Sequence, residues 1–331
     1  MENFKNYVLY SSVSYRRNIS EIPFLTNGIS YEEALGECQS LSEIFSDELN
    51  FKSLKNITYE DCLLFYENDI ISKELLNNKE ISFFGITDDL TKKIFINEED
   101  HIKIICKNNN YCLEECYNNA NIIDDQILSN LNISYSDDYG FLTVNPLNAG
   151  CAICLECLLF IPSIFYNNSI NKIEELLGDN FEFEYYVKNN KQVPLILVRN
   201  KYSFGTKENE IAIAFERIIK SIVEFEKLEE NKIFELSASG LTDIIFRSFG
   251  ILLNSYRMSY DEAIIHLCNL LWGIRLNIIK QKNDFKITDN ISVIRENHLN
   301  VQGNIKELEK KRAKILEKLI SNSLVKGEVD V

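Results

Sequence analysis

In the stretch Ile94-Phe-Ile-Asn-Glu-Glu-Asp-His-Ile-Lys-Ile104, a short apolar run leads directly into three consecutive acidic residues. The β-branched and aromatic side chains of Ile94–Asn97 predict a strand. The acidic residues Glu98–Asp100 fall at the end of this strand, so Asn97–His101 is predicted to form a turn or cap. Two interpretations of the acidic residues stay open at this point, a chemical role and a purely structural one.

Outward from this stretch, five further runs rich in Ile, Val, Phe and Tyr predict strands before residue 201. These runs are Val8–Ser11, Ile81–Gly85, Gly140–Val144, Phe181–Val187 and Pro194–Asn200. A long helix is predicted over Glu208–Glu229, because its apolar residues recur on one helical face.

Beyond about Asn231 the strand signals stop and helical spacing takes over. The predicted helices are Phe234–Tyr256, Ser259–Ile279 and Ile305–Ser323, the second of which starts with the capping-box pair Ser259 and Glu262. Strands followed by helices indicate an α+β domain and a separate helical domain. We predict their boundaries as residues 1–230 and 231–331.

Composition limits the classes of function. The 331 residues include 35 basic and 50 acidic side chains, for a formal net charge of −15. That balance argues against a general nucleic-acid binder and is unfavourable for holding a nucleotide triphosphate. No signal-peptide pattern or apolar run of ~20 residues occurs, so we expect a cytoplasmic protein that does not bind membranes. Nine cysteines in such a protein predict thiols or metal ligands rather than disulfides.

Three segments of the chain carry a family resemblance. Val8-Leu-Tyr-Ser-Ser-Val-Ser-Tyr-Arg-Arg-Asn-Ile19 with Pro23-Phe24 resembles V-I-S-S-R-I-R-L-A-R-N-L…P-F of bacterial protein-arginine kinases, members of the ATP:guanido phosphotransferase (phosphagen kinase) family. Ile94–Ile104 is similar to their N-E-E-D-H-L-R-I signature, and Tyr139–Gly150 to G-Y-L-T-S-C-P-T-N-V-G. Asp243–Leu252 resembles the C-terminal domain that protein-arginine kinases have and creatine kinases lack.

The resemblance implies a fold and an activity. It implies a guanido kinase-type catalytic domain, with an antiparallel sheet flanked by helices, followed by an all-α C-terminal domain. It also implies ATP and Mg²⁺ as cofactors, an arginine guanidinium as phosphoryl acceptor, and a homodimer. The partners it implies are proteins: an arginine-containing substrate, an intact kinase, its activator, or Clp unfoldase components of protein quality control.

The family binds the transferring phosphate with five arginines, and this chain departs from the pattern at all five. The corresponding residues are Ser12, Ser14, Lys103 and Cys154, and no arginine occurs between Pro162 and Arg199 for the fifth. Arginine grips phosphate bidentately, whereas lysine acts as a point charge. Four losses and one weakened position therefore predict poor ATP binding and impaired catalysis.

The acidic half of the family site is retained as Glu98, Glu99 and Asp100. The resemblance points to Glu99 as the carboxylate that orients and deprotonates the substrate guanidinium. The family cysteine that helps to orient the guanidinium is Asn145 here. A guanidinium-binding pocket without phosphoryl transfer is one hypothesis, and a strand-end turn kept for structure is the other.

The last predicted helix holds a second candidate site. In the relatives an R-D-x-x-R-A motif forms part of a phosphoarginine-binding pocket, and Leu308–Ala313 is the matching segment. Glu309 and Arg312 keep the character of the motif, but its first arginine is Leu308. The apolar spacing favours the alternative, in which these charged residues form the solvated face of an amphipathic helix.

One motif is foreign to the family pattern. Cys151-Ala-Ile-Cys-Leu-Glu-Cys157 has the C-x₂-C-x₂-C spacing of some zinc and iron–sulfur ligands, with Cys112 and Cys116 as sources of a fourth ligand. The alternative is a helix on which Cys151, Cys154 and Cys157 line one apolar stripe. We favour the core interpretation and predict no metal.

These observations yield three functional hypotheses. The first is a catalytically impaired protein-arginine kinase homologue that regulates or binds other proteins. The second is an active ATP-dependent kinase with a rebuilt phosphate site. The third is a cysteine-based metal or redox sensor on the same fold.

Overall fold

The structure is a computed structural model that describes residues 4, 6–25, 28–187, 193–282, 291–301 and 303–327. The chain divides into two compact units. The first comprises Met1–Leu159, Glu174–Phe183 and Leu197–Ser221, and the second comprises Phe160–Ile173, Glu184–Ile196 and Ile222–Val331. The domain boundary at residue 230 stays a prediction, and part of the loop expected to carry the fifth arginine lies outside the described residues.

The elements are as follows in chain order. The strands are β1 (Val8–Arg17), β2 (Asn50–Ser53), β3 (Phe83–Ile86), β4 (Lys92–Ile96), β5 (Ile102–Asn108), β6 (Tyr135–Ser136), β7 (Gly140–Phe141), β8 (Ile153–Phe160), β9 (Phe181–Tyr185), β10 (Leu195–Asn200), β11 (Ile279–Gln281) and β12 (Leu324–Lys326). The helices are α1 (Tyr31–Ile44), α2 (Tyr59–Glu67), α3 (Lys73–Asn77), α4 (Leu113–Asn130), α5 (Pro162–Tyr166), α6 (Asn171–Leu177), α7 (Glu208–Asn254), α8 (Tyr260–Arg275), α9 (Glu296–Leu299) and α10 (Ile305–Ser323).

A single sheet contains the strands up to β10 except β6 and β7, which pair with each other. Its order is β2-β3-β4-β5-β1-β8-β10-β9, which places β1 near the centre. β1 pairs antiparallel with both β5 and β8, and the β2–β3, β3–β4 and β4–β5 pairs are antiparallel as well. The predicted α+β class with an antiparallel sheet flanked by helices is therefore confirmed.

The two faces of β1 have different partners, because successive side chains of a strand point to opposite faces. One face carries Val13 and Tyr15, which are buried, and α4 packs on it. Arg17 lies on the same face and donates from Nη2 to Asp124 Oδ2 of α4 at 2.6 Å. The residues between them, Ser12, Ser14 and Arg16, consequently belong to the opposite face.

A separate apolar cluster anchors the outer strands of the sheet. Phe84 of β3 and Phe95 of β4 contact side chains from α2, α3 and the chain around them. These are Leu54, Cys62, Ile71 and Leu75, each at most 3% exposed. The strand that leads into the acidic residues is thereby held firmly against the core.

The helices of the second unit pack closely at a glycine. A Cβ on Gly273 of α8 would lie 2.6 Å from Ile245 Cγ2 of α7, so α7 and α8 approach each other as only glycine allows. Ser259 caps α8 as predicted, since its side chain accepts from Glu262 N at 3.2 Å. One addition to the all-α prediction is the short antiparallel pair β11–β12.

The predicted helices Glu208–Glu229 and Phe234–Tyr256 correspond to α7, which consists of two helical stretches joined by a kink at Ser237 (φ −158°, ψ 43°). By length and composition alone, α7 is also the one described helix that could cross a membrane. Of its most apolar 18-residue stretch, 28% is buried in the protein. Ile245 and Leu252 of α7 lie in the core of the second unit, as in a helix of a folded domain.

A buried ion cluster joins separate segments of the second unit. Arg275 donates from Nη2 to Glu226 Oε1 at 2.6 Å and from Nη1 to the carbonyl of Phe160 at 3.3 Å. The carboxylate of Glu226 also accepts from the backbone N–H groups of Ser163 and Ile164. Glu226 therefore holds the N-terminal turn of α5, whose first N–H groups have no helical partner.

Candidate functional site

Three adjacent strands form a polar strip on the face of the sheet opposite α4. In the β1 register, Ser12 pairs with Lys107 of β5 and Glu156 of β8, while Ser14 pairs with Cys154 and Arg16 pairs with Lys103. Cross-strand partners share a face of the sheet. The polar strip, defined as these residues, gathers all four described positions at which the resemblance implies phosphate-binding arginines.

The acidic residues lie at one end of the polar strip. β4 ends at Ile96, and Asn97 adopts a positive φ of 59°, which turns the chain towards β5. Asn residues tolerate this left-handed conformation better than most. The turn brings the carboxylates of Glu98, Glu99 and Asp100 to the side chain of Arg16.

The guanidinium of Arg16 contacts all three carboxylates through one nitrogen. Its Nη1 lies 2.8 Å from Glu99 Oε2, 3.3 Å from Asp100 Oδ2 and 3.5 Å from Glu98 Oε2. Burial lowers the pKa of Arg16, but the three carboxylates together raise it above the ordinary value. The chain thus supplies its own cation to the acidic residues.

Glu98 is the buried member of the acidic group. Its Oε1 accepts from Lys103 Nζ at 2.8 Å, and its side chain is 2% exposed. Burial favours the neutral acid, yet Lys103 and Arg16 hold the pKa of Glu98 below its usual value. Lys103, the weakened phosphate position, is therefore committed to a carboxylate.

Asp100 has a structural role. Its Oδ1 accepts from Asn18 Nδ2 at 2.7 Å and from the backbone N–H of Val144 at 2.8 Å. The side chain is fully buried, so it fastens the end of β1 to the segment before Asn145. Glu99, with its side chain 35% exposed, is the acidic residue that a ligand from solvent can reach.

His101 also serves the fold. Its Nδ1 accepts from the backbone N–H of Ile19 at 3.1 Å, and its Nε2 lies 2.9 Å from the carbonyl of Pro23. Both ring nitrogens are thereby occupied by main chain. His101 therefore has the main-chain contacts that the structural interpretation of Asn97–His101 predicts, whereas Glu99 faces solvent in part.

Sequence reasoning missed three members of the polar strip and its surroundings. Lys107 stacks over the ring of Tyr10 at 3.7 Å, and Tyr10 OH donates to Glu156 Oε1 at 2.9 Å. Burial raises the pKa of Glu156, while Tyr10, Lys107, Lys103 and Arg199 oppose that rise. The missing signal was strand register, which places Lys107 and Glu156 on either side of Ser12. Arg199, on β10, acts electrostatically on both Cys154 and Glu156.

The described hydrogen bonds of Asn145 do not involve this charge cluster. Its Oδ1 accepts from the backbone N–H of Leu147 at 3.1 Å and so caps the short 3-10 turn Pro146–Asn148. Its backbone carbonyl accepts from Thr143 Oγ1 at 2.7 Å. The structure therefore gives Asn145 a turn-forming role at the place where the family has its cysteine.

The cysteine run is a strand, and the predicted helical stripe is wrong. Cys154 and Cys157 lie in β8, where a spacing of three residues points side chains to opposite faces. Cys154 belongs to the polar strip and Cys157 is buried. Burial is the largest cause of a raised pKa for Cys151, Cys154 and Cys157, whereas metal ligation requires thiolates. No cluster of three metal-ligating side chains occurs among the described residues.

The C-terminal candidate site is also different from expectation. Arg312 is 2% exposed, so its predicted place on a solvated helix face is wrong. Its Nε donates to the carbonyl of Ile294 at 2.9 Å and its Nη1 to that of Met258 at 3.0 Å. Glu309 lies 3.9 Å from Arg257 Nε. Arg312 therefore joins three segments of the second unit through its guanidinium.

The donor set does not fit a triphosphate in this conformation. Among the cations of the polar strip, Arg16 and Lys103 are paired with carboxylates, and Lys107 Nζ lies over the ring of Tyr10. Arg199 Nε donates to Glu182 Oε1 at 2.7 Å. Phosphate oxygens need several uncommitted donors, and Ser12, Ser14 and Cys154 supply no positive charge.

Comparisons with known proteins match this architecture. The chain matches the family model "ATP:guanido phosphotransferase, C-terminal catalytic domain" over residues 32–229 and "Protein-arginine kinase McsB C-terminal domain" over residues 238–326. It is 30% identical to the protein-arginine kinase of Staphylococcus aureus strain Mu3 over 257 residues, covering 76% of this chain and 75% of that one. For the protein-arginine kinase of Clostridium botulinum strain Eklund 17B the identity is 25%, over 97% of both chains.

Solved structures of guanidino kinases share the fold. The duplicated taurocyamine kinase of Schistosoma mansoni superposes with a TM-score of 0.61 at 15% identity, over 75% of this chain and 39% of that chain. Lombricine kinase gives a TM-score of 0.59 at 14% identity, over 68% of each chain. The matched model covers more than half of the sequence, and the chain therefore belongs to the ATP:guanido phosphotransferase family and carries the C-terminal domain of its protein-arginine kinases.

Proposed function

We propose that this protein is a catalytically impaired relative of the protein-arginine kinases. It acts by binding the exposed arginine side chains of other proteins. The proposal rests on the observation that Ser12, Ser14 and Cys154 lie next to one another on the polar strip. Loss of one preorganised donor to developing charge costs about 10²–10³ in rate. Three such losses at adjacent positions remove most of the stabilisation that phosphoryl transfer needs.

The acidic residues support the binding half of the proposal. Glu99 is partly exposed and carries negative charge next to the fully buried Asp100. A carboxylate at hydrogen-bonding distance is the natural partner of a guanidinium. We propose arginine-bearing proteins of the cytoplasmic quality-control system as partners: a substrate, an intact kinase, its activator or a Clp unfoldase component.

Nucleotide binding tests the impairment. Ligand that binds only the folded state raises thermal stability with concentration. We expect millimolar Mg-ATP to leave the melting temperature of the wild type unchanged and to raise that of the triple variant S12R/S14R/C154R. A clear stabilisation of the wild type at micromolar nucleotide would overturn the proposed impairment.

A second candidate function is an active kinase with a rebuilt phosphate site. It is favoured by the cations Lys103, Lys107 and Arg199, all of which act on Glu156 across adjacent strands. Incubation with Mg-ATP and an arginine-rich protein, followed by mass spectrometry under conditions that preserve phosphoarginine, distinguishes the two functions. The active-kinase function requires phosphoarginine that disappears in Glu99→Gln and falls strongly in Lys107→Ala.

A further inference from the structure

The side chain of Arg16 occupies the place that the proposed function assigns to a ligand. Glu99 is the proposed guanidinium-binding carboxylate, and the nearest guanidinium to it belongs to the same chain, with Nη1 2.8 Å from Glu99 Oε2. The family pattern aligned through Arg17-Asn18 has alanine at this position. Arg16 is therefore a feature of this chain and not part of the phosphate-binding set.

We propose that Arg16 is an internal competitor for the guanidinium site, so that the protein binds an external arginine side chain only when Arg16 leaves Glu99. The inference rests on the proposed role of Glu99. It adds an autoinhibited state and an open state to that role. In the first, Arg16 contacts Glu99, and in the second, a partner's arginine replaces it.

The contacts around the acidic residues suit such an exchange. Without Arg16, Glu98 retains Lys103 at 2.8 Å, and Asp100 retains Asn18 at 2.7 Å and the Val144 N–H at 2.8 Å. For Glu99, the contact described in the structure is the one with Arg16. Departure of Arg16 therefore removes the cation from Glu99 and from the Oδ2 atom of Asp100, and Glu99 is the one of these two carboxylates that solvent reaches.

The side chain of Arg16 is also placed so that it can leave. It is 16% exposed and extends from the polar strip, whereas Arg17 is 1% exposed and anchored to Asp124 beneath α4. Replacing one guanidinium by another conserves the charge and hydrogen bonds at Glu99. The exchange is therefore governed by competition, and not by a difference in chemistry.

The energetic consequence follows from population shift. If the open state is a minor one, the apparent dissociation constant of a ligand exceeds the intrinsic one by the reciprocal of the open fraction. Minor states commonly make up about 0.1–10% of an ensemble, so removal of the competitor raises affinity by about tenfold or more.

The test is binding of N-acetyl-arginine methylamide by calorimetry or by NMR of the labelled protein, without nucleotide. We expect Arg16→Ala and Arg16→Gln to bind this probe about tenfold or more tightly than the wild type. The glutamine variant keeps a hydrogen-bond donor near the carboxylates in case the alanine variant folds poorly. The double variant R16Q/E99Q should lose the gain, and N-acetyl-lysine methylamide should bind more weakly throughout.

Lys107→Ala is the matched control. This substitution removes one positive charge from the same polar strip. The Lys107 side chain lies over Tyr10 and is not among the described partners of Glu98, Glu99 and Asp100. An equal gain in affinity for the arginine probe in Lys107→Ala would show that the effect comes from net charge alone, and it would overturn the inference. Equal binding by the wild type and both Arg16 variants would overturn the inference alone. Absence of binding in every variant would overturn the guanidinium role of Glu99, and the inference with it.

Discussion

Two neighbouring acids of the candidate site, Asp100 and Glu99, differ in how much they stabilise the fold. Asp100 is fully buried and accepts from Asn18 and from the Val144 N–H, whereas Glu99 is partly exposed. An amide at position 100 can still accept both bonds through its oxygen, but its NH₂ group replaces Oδ2 and faces the Arg16 guanidinium, whose Nη1 lies 3.3 Å from Oδ2. A buried polar group left without its partner costs about 1–3 kcal/mol. An exposed ion pair contributes at most about 1 kcal/mol.

We therefore expect Asp100→Asn to lower the free energy of unfolding by about 2 kcal/mol and Glu99→Gln to change it by less than about 0.5 kcal/mol. Urea denaturation of both variants at one pH provides the measurement. Equal losses in the two variants would show that Glu99 is also a structural residue, against the assignment made above.

A buried acid on α1 predicts a pH dependence of stability. Glu37 is 3% exposed, with Oε1 3.7 Å from His101 Nδ1, and burial raises its pKa to about 8. Glu37 keeps its proton up to a higher pH in the folded protein than in the unfolded chain. Its contribution to the free energy of unfolding is therefore fully present below the ordinary pKa of a glutamate. It is then lost as pH rises towards 8, with a slope of up to about 1.4 kcal/mol per pH unit.

We expect Glu37→Gln to flatten this dependence, because an amide does not titrate. The quantity to compare is the difference in unfolding free energy between variant and wild type at several pH values from 5 to 8. That difference should move in favour of the variant as pH rises. A constant difference over the whole range would mean that Glu37 ionises as readily in the folded protein as in the unfolded chain.

At the scale of elements, the packing of α8 on α7 depends on Gly273. A Cβ there would meet Ile245 Cγ2 at 2.6 Å and Ile279 Cγ1 at 2.9 Å, whereas one on Gly250 of α7 would meet nothing within 4 Å. Overpacking a core costs about 1–3 kcal/mol, and an unobstructed glycine-to-alanine change within a helix gains about 0.5–1 kcal/mol.

Gly273→Ala should thus lower the melting temperature and Gly250→Ala should raise it slightly. The pair is matched, because both substitutions add one methyl group to a helical glycine of the second unit. Thermal unfolding followed by circular dichroism measures both. A stabilised Gly273→Ala variant would indicate that α7 and α8 can separate without loss.

The strands show what sequence patterns can and cannot determine. Phe181–Val187 and Pro194–Asn200 have clear β patterns, and the structure has β9 and β10 there. β8 was hidden because Cys151, Cys154 and Cys157 repeat at a spacing that also fits one helical face. Glu156 is the only charged residue in the sequence Ile153–Phe160, so the strand lacks the clear alternation that would reveal it.

The candidate site was predictable only in part for a related reason. Glu98, Glu99, Asp100 and Lys103 occur together in sequence, and the motif identified them. Lys107 and Arg199 join the site through register between strands distant in sequence, which no local pattern specifies. Arg312 was misplaced because a charged residue on a helix is normally solvated, and here main-chain carbonyls satisfy it instead.

At the scale of the whole molecule, the domain boundary has a measurable consequence. A fragment that begins at residue 231 lacks Glu226 and Glu230, the two carboxylates that pair with buried Arg275, whereas one that begins at Ile222 keeps both. An unpaired buried charge costs about 3–5 kcal/mol.

We expect residues 222–331 to be more stable than residues 231–331 by an amount of that order, measured by urea denaturation of the two fragments. A version of the longer fragment with both Glu226→Gln and Glu230→Gln should fall in stability towards the shorter one, and it separates the ion pairs of Arg275 from chain length. Equal stability of both fragments would support residue 230 as a true boundary.

The division of labour across β1 has an evolutionary consequence. Residues such as Val13 and Tyr15 stabilise the fold beneath α4, and their alternate neighbours Ser12, Ser14 and Arg16 belong to the polar strip on the opposite face. Substitutions on the second set leave the first set untouched. A gene encoding this strand can change what the polar strip binds while its product continues to fold and escape degradation, so the catalytic impairment proposed above requires no unstable intermediate.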